Sequence, residues 1–144
     1  MTSAATRRID RAEAQAVLAA QPFSVLLGTR LAGFGDGTAT LELDFRDDLL
    51  QQNGFLHGGV LSYAADNAIT FAAGAAAGPE VLTAGFTIDY LRPARGAVLR
   101  ARAEVVRAGR TRVVVRCDLT VHPADGGPGM LCAVAQGTVS VAGG

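Results

Sequence analysis

His57, the glycine pair Gly58-Gly59, and Asp66 nine positions after the histidine have types and spacing that suit carbonyl chemistry. A glycine pair opening a helix leaves backbone N–H groups unpaired at the end where the helix dipole favours negative charge, so the Gly58 N–H can polarise a carbonyl oxygen. Asp66 is the single acid in the apolar run 60–77, with Ala64, Ala65, Ala68, Ile69 and Ala72 around it. A carboxylate in such surroundings is costly unless it is used or paired, and burial makes it a stronger base. Ser62, Asp66 and Thr70 recur at i, i+4 and i+8 and so share one helix face. Ser62 and Thr70 could instead satisfy carbonyls of their own helix while Asp66 faces water. The alanine-rich neighbours favour a working acid.

Spacing limits how the two groups can cooperate. Eight positions separate Gly58 from Asp66, about 12 Å along a helix. A base and an oxyanion donor must each approach within about 3 Å of their target atoms. One chain can hardly bring both to one small carbonyl. Two antiparallel copies of the helix about a two-fold axis can place Gly58 of one opposite Asp66 of the other. The expectation is an obligate dimer with shared sites.

The elements that must hold these groups are legible as periodicities. Asp10 reads as the cap of a short helix, about 10–20, ended by Pro22. Residues 28–37 are glycine-punctuated, and 38–45 then alternate, with Ala39, Leu41, Leu43 and Phe45 on one face. A loop leads to the long helix, about 58–77, which Gly78-Pro79 terminates. Four alternating runs follow, at 83–91, 97–106, 111–121 and 130–141. The first places Ala84, Phe86, Ile88 and Tyr90 together. Ala108-Gly109-Arg110-Thr111 reads as a tight hairpin in which Gly109 supplies a backbone angle other residues avoid. One long helix before successive hairpin-linked strands makes an α+β domain with an antiparallel sheet, taking the whole chain 1–144 as one domain. The helix is apolar nearly all round, so a curved sheet must wrap it.

Composition narrows the partners. The chain has 144 residues, 49% of them hydrophobic and 18% charged, with no formal net charge. So little charge on a small domain points to surface buried between subunits. Zero net charge argues against nucleic acid or an anionic membrane as partner. All 13 basic residues are Arg, which reads as compositional bias. Cys117 and Cys132 lie in strand-like runs without metal-ligand spacing and read as buried thiols of a reducing compartment. With His57 and His122 the only histidines, no metal site is expected. Asp66, Asn67 and Ser62 interrupt the longest apolar run, so a core helix is expected there in place of a membrane span. No apolar signal segment follows Arg7-Arg8, and a cytoplasmic protein is expected.

From about Leu31 to Val141 the chain resembles the hotdog-fold acyl-CoA thioesterases, in particular the phenylacetate-degradation PaaI-like branch and its 4-hydroxybenzoyl-CoA relatives. The resemblance rests on Gln51, Gly54, His57-Gly58-Gly59, Asp66 and the run Ile88-Asp89-Tyr90-Leu91-Arg92-Pro93-Ala94. It implies hydrolysis of a medium-chain or aromatic acyl-CoA with no cofactor, coenzyme A being part of the substrate. By the same resemblance the Gly58 N–H donates to the thioester carbonyl and Asp66 is nucleophile or general base. Thr70 orients Asp66 or its water, Gln51 holds the water or the carbonyl, and His57 supports the turn. Gly59 and Asn53 are expected to face the substrate. Arg92, Arg95 and the Gly109-Arg110-Thr111 turn are candidates for the coenzyme A phosphates, although the same residues also read as solvated strand-end groups. The resemblance further implies a homodimer, with dimers pairing into tetramers. Many relatives have Asn where this chain has Gln51, or Glu where it has Asp66, so neither variant's substrate transfers. Two other readings compete: a hotdog dehydratase of 3-hydroxyacyl thioesters, and a non-enzymatic acyl-CoA binding protein.

Overall fold

The computed structural model describes residues 7–142. Helix α1 (Arg11–Ala19) starts at the expected cap, with the Asp10 carboxylate accepting the Glu13 N–H at 2.8 Å. Pro22 does more than end that helix. It opens a second one, α2 (Pro22–Leu27), where proline stands in the first turn and no N–H is needed. The glycine-punctuated stretch beyond is a strand, β1 (Arg30–Gly35), paired with β2 (Thr38–Asp44) across the turn at Asp36-Gly37. Sequence periodicity hid both elements. Six residues are too few to show a helical repeat, and the glycines of β1 erase its alternation.

The central helix α3 (Gly58–Ala77) has the expected bounds. After it come β3 (Val81–Tyr90), β4 (Val98–Ala108), β5 (Arg112–His122) and β6 (Met130–Val141). All six strands join one antiparallel sheet in the order β1-β2-β4-β5-β6-β3, curled about α3. The inward faces are buried: Ala39, Leu41 and Leu43 on β2, as the alternation anticipates; Leu99, Ala101 and Ala103 on β4; Val113, Val115, Cys117 and Leu119 on β5. They meet Ala64, Ala65, Ala68, Ile69 and Ala72 of α3, all fully buried. Alanines on the helix let strands approach closely, and close approach along twenty residues bends the sheet. No helix of the described residues is long and apolar enough to cross a membrane.

Two expectations need correction. The register of β3 against β6 slips between Thr83 and Gly85, so Ala84 bulges. A bulge reverses the parity of side chains on either side of it. Phe86 and Ile88 point inward as expected, but Thr83, not Ala84, joins them. The hairpin residue Gly109 keeps an ordinary φ. Its demand is for space, since a Cβ there would lie 3.1 Å from the Arg112 carbonyl oxygen. Helix α3 is covered on most sides, as its apolar faces require, with one stripe less enclosed. Ser62, Tyr63, Asp66, Asn67 and Thr70 form a half-buried stripe. Part of it lies under α2, where the Tyr63 hydroxyl meets Ser24 Oγ at 2.6 Å and Thr29 Oγ1 at 2.7 Å, and Asn67 Nδ2 donates to Gln21 Oε1 at 3.1 Å.

The sheet has two edges of different character. On β1, Arg11 donates to the Leu31 carbonyl at 3.1 Å and a bulge follows Leu31, both of which blunt an edge. The other edge, β3, runs for ten residues without Lys, Arg or Pro. Its Leu82 is 76% exposed.

Cys117 and Cys132 are free and buried. Burial pushes the Cys117 thiol up to about 12 from 9.0, and the neighbouring Asp118 charge adds to the effect. The folded state therefore favours the protonated thiol. The stability this contributes is fully present below pH 9 and is lost as pH rises towards 12. We expect native protein to resist an aromatic disulfide reagent at pH 8. The urea midpoint should also fall more steeply between pH 9 and 11 in wild type than in Cys117→Ala; parallel slopes would show that the thiol does not titrate in this way.

Candidate active site

The start of α3 is tied down before it is used. The Leu56 N–H donates to the Ala94 carbonyl at 3.0 Å and the His57 N–H to the Leu49 carbonyl at 2.9 Å. The loop ahead of it closes on itself: Gln51 N–H donates to Phe55 O at 2.8 Å, and Gly54, at φ 84, makes the turn. Gln51 Oε1 accepts the Asn53 N–H, which leaves the Gln51 amide NH₂ as a donor towards the cleft. Asn53 thus contributes its backbone to Gln51 and not to an open face.

His57 is the N-cap, its Nδ1 accepting the Gly59 N–H at 2.8 Å. This hydrogen bond ties the ring to the turn at the start of the helix. Two consequences follow for the glycine pair. The Gly59 N–H is already used, so Gly59 can offer the substrate only its small size. The Gly58 N–H has no hydrogen-bond partner among the described residues. Space explains why both are glycine: a Cβ on Gly59 would lie 2.9 Å from His57 Nδ1, and one on Gly58 3.3 Å from the Tyr90 ring and hydroxyl.

Gly58 opens into a cleft of about 490 Å³ lined by Gln51, Phe55, Leu56, Leu61, Tyr90 and the Leu91–Ala94 segment, Arg92 included. Arg95 sits beside it, its guanidinium carbon 5.0 Å from the Phe55 ring centre. The sequence-predicted residues Gln51, Gly58 and Arg92 are therefore brought together. The hairpin Gly109-Arg110-Thr111 is not with them. In the ladder Tyr90 pairs with Ala133 while Arg112 pairs with Ser140, seven residues further along β6. That is about 23 Å at the rise of a strand. The hairpin lies instead towards the end of the sheet where Thr83 pairs with Val139. Arg92, Arg95 and Arg110 are exposed, and none pairs with a carboxylate among the described residues.

Asp66 is half-buried in the single chain, less enclosed than its alanine neighbours suggested, because its stripe faces away from the body of the sheet. Its Oδ1 accepts the Thr83 hydroxyl at 2.8 Å. Thr70 Oγ1 donates to the Asp66 backbone carbonyl at 2.9 Å and touches Thr83 Oγ1. Thr70 thus reaches the carboxylate only through Thr83. Sequence reasoning missed Thr83 because strict alternation turns it away from Phe86. Gly85, mid-strand, was the available signal of a bulge. It also missed Tyr90, whose hydroxyl lies 2.9 Å from the Gly58 carbonyl and 2.7 Å from Ser62 Oγ. No group of three or more potential metal ligands occurs among the described residues.

A family model described as the thioesterase superfamily matches residues 53–123, the stretch that holds the glycine pair, Asp66, Thr83 and every residue lining the cleft except Gln51. A thioesterase family protein from Silicibacter pomeroyi is 34% identical over 87% of this chain and 92% of its own, with a TM-score of 0.81. The chain belongs to the thioesterase superfamily. A mutant form of the phenylacetic acid degradation protein PaaI from Thermus thermophilus is 31% identical, with 84% and 99% of the two chains covered and a TM-score of 0.74. The E. coli PaaI protein, at 23% identity, shares the fold, with a TM-score of 0.78 and 91% of each chain covered. None of the curated proteins compared matches the chain. The fold is the PaaI-like hotdog fold and the enzyme a thioester hydrolase, so the dehydratase and the non-enzymatic binder give way.

Thr83→Val keeps the shape of the residue and removes the hydrogen bond to Asp66. We expect kcat for thioester hydrolysis to fall about tenfold to a hundredfold, with KM within about twofold, the split expected if Thr83 orients an acid that acts in the chemical step. Steady-state kinetics would check this; an unchanged kcat would separate Thr83 from the chemistry.

Proposed function

We propose that the protein hydrolyses medium-chain or aromatic acyl-CoA thioesters at two composite sites of a homodimer, each joining Gly58 of one subunit to Asp66 of the other. The observation that carries this reading is the division of the chemistry in a single chain. A free N–H opens on an apolar cleft at the start of α3, while the acid sits two turns away under Thr83. The β3 edge, which carries no Lys, Arg or Pro, supports the pairing. An antiparallel match of two β3 strands centred between Phe86 and Thr87 sets Thr83 across from the partner's Tyr90. Asp66, bonded to Thr83, then approaches Gly58 of the partner subunit. The Gly109–Thr111 hairpin comes towards the same composite site, which offers Arg110 to the coenzyme A phosphates alongside the partner's Arg92 and Arg95.

In this arrangement the thioester carbonyl oxygen accepts the Gly58 N–H, at the end of α3 where the dipole favours the charge that develops. The Gln51 NH₂ holds the carbonyl or the attacking water. Asp66, oriented by Thr83 with Thr70 behind it, either takes a proton from water or attacks the carbonyl carbon itself. By the first route the activated water adds to the carbonyl carbon and the C–S bond breaks; by the second the C–S bond breaks to leave an acyl anhydride on Asp66, which a water then hydrolyses to regenerate the carboxylate. By both routes the thiolate of coenzyme A leaves and is protonated, and a carboxylic acid is released. No metal or organic cofactor takes part. Exposed Phe23, Val25 and Leu26 on α2 offer a surface on which dimers can pair further. Free thiols and a coenzyme A substrate suit a cytoplasmic setting.

A panel of hexanoyl-, octanoyl-, benzoyl- and phenylacetyl-CoA tests the substrate class, and inactivity on all four would overturn it. Asp66→Asn should lower kcat at least about 100-fold on the best of them. Sharing is tested by complementation. Asp66→Asn and Gly58→Val are each inactive alone, whereas random co-assembly leaves about a quarter of sites intact and should restore that fraction of activity. No recovery in mixed dimers would place both groups in one chain's site.

A further inference from the structure

The Gly58 carbonyl and the Gly59 N–H belong to the same planar peptide unit. That unit is held from both ends. His57 Nδ1 accepts its N–H at 2.8 Å, and the Tyr90 hydroxyl donates to its carbonyl at 2.9 Å. A tyrosine hydroxyl has one proton, so the 2.7 Å contact between Tyr90 and Ser62 is one in which Ser62 donates. Tyr90 is thereby fixed at its tip as well as at its backbone. It ends β3 opposite Ala133, and the next two N–H groups, of Leu91 and Arg92, both donate to the Cys132 carbonyl at 2.8 and 3.3 Å.

We propose that Tyr90 is a positioning residue for thioester hydrolysis, which with His57 clamps the Gly58–Gly59 peptide and so aims the Gly58 N–H into the cleft. This rests on the reading of that N–H as the carbonyl-polarising donor. Consecutive glycines are the least constrained backbone on which to mount a donor. An oxyanion donor works only when it is directed in advance at the developing charge. The first residue of a helix has no preceding turn to direct it. Beyond the backbone ladder of α3, which the Gly58 carbonyl joins, His57 holds the N–H end of the peptide unit and Tyr90 adds a side-chain contact at its carbonyl end. The same ring leaves no comfortable room for a side chain at position 58, since a Cβ there would come within 3.3 Å of it. Tyr90 is 52% exposed and lines the cleft, so its hydroxyl is not needed to fill a core. Because β3 is also the edge proposed to pair between subunits, subunit pairing and donor alignment meet in one strand.

The test is Tyr90→Phe, which keeps the ring and removes the hydroxyl. On the best-hydrolysed of the four thioesters above, kcat should fall about tenfold with KM within about twofold, the split expected when a transition-state contact is weakened. A merely structural role would not move a second readout, the infrared carbonyl stretch of the same thioester, ¹³C-labelled at its carbonyl and bound to Asp66→Asn. Binding should lower that frequency, and adding Tyr90→Phe should cancel much of the lowering and broaden the band. A lowered frequency and a kcat both indifferent to Tyr90→Phe would overturn the role of Tyr90 alone. A carbonyl band that does not move on binding to Asp66→Asn would overturn the Gly58 donor reading, and the role of Tyr90 with it.

Discussion

A twenty-residue helix that is apolar on most of its faces cannot stand in water, and the architecture answers that constraint. Its alanines allow the strands to come close, and the sheet bends around it. Wrapping from one direction leaves one stripe uncovered, and the polar residues of α3 lie along it. Ser62, Asp66 and Thr70 are therefore at the margin of the core along β3, Ser62 against Tyr90 and the other two against Thr83. The acid is neither free in solvent nor sealed away.

The opposite requirement governs the helix start. There the value of the backbone lies in an N–H left without a partner, and most of the local structure prevents the others from being wasted or misdirected. Leu49 and Ala94 accept the N–H groups of His57 and Leu56, His57 caps Gly59, and Asn53 holds the Gln51 side chain. What remains is one donor at the mouth of an apolar cleft. The separation of this donor from the acid follows from helix geometry and gives the free β3 edge its significance. A sheet edge with no Lys, Arg or Pro on ten residues is open to pairing.

Much of this was legible in the sequence because the signals are local. Helix period and a cap define α3 and α1, and strict alternation defines β2, β4 and β5 with their buried faces. The pairing of glycine, histidine and acid on one helix needs only residue counting. The elements that escaped carry signals too short or self-cancelling: α2 has six residues, and β1 has two glycines among six. Thr83 escaped for a sharper reason. A single bulged residue, Ala84, inverts the parity that alternation assumes, and no propensity marks which residue will bulge.

Residue order was enough to establish the fold class and the bounds of the central helix, and to set the distance between Gly58 and Asp66 on that helix, because each depends on periodicity or on about 1.5 Å of rise per residue. Which groups touch those halves was settled by packing in three dimensions. Thr83 reaches Asp66 across a bulge, Tyr90 reaches the Gly58 carbonyl from the far end of the edge strand, and the Gly109–Thr111 turn lies at the other end of the sheet from the cleft. These are contacts between residues 17 and 32 positions apart, and beyond. Their existence depends on strand order and register, which side-chain pattern along a chain does not encode.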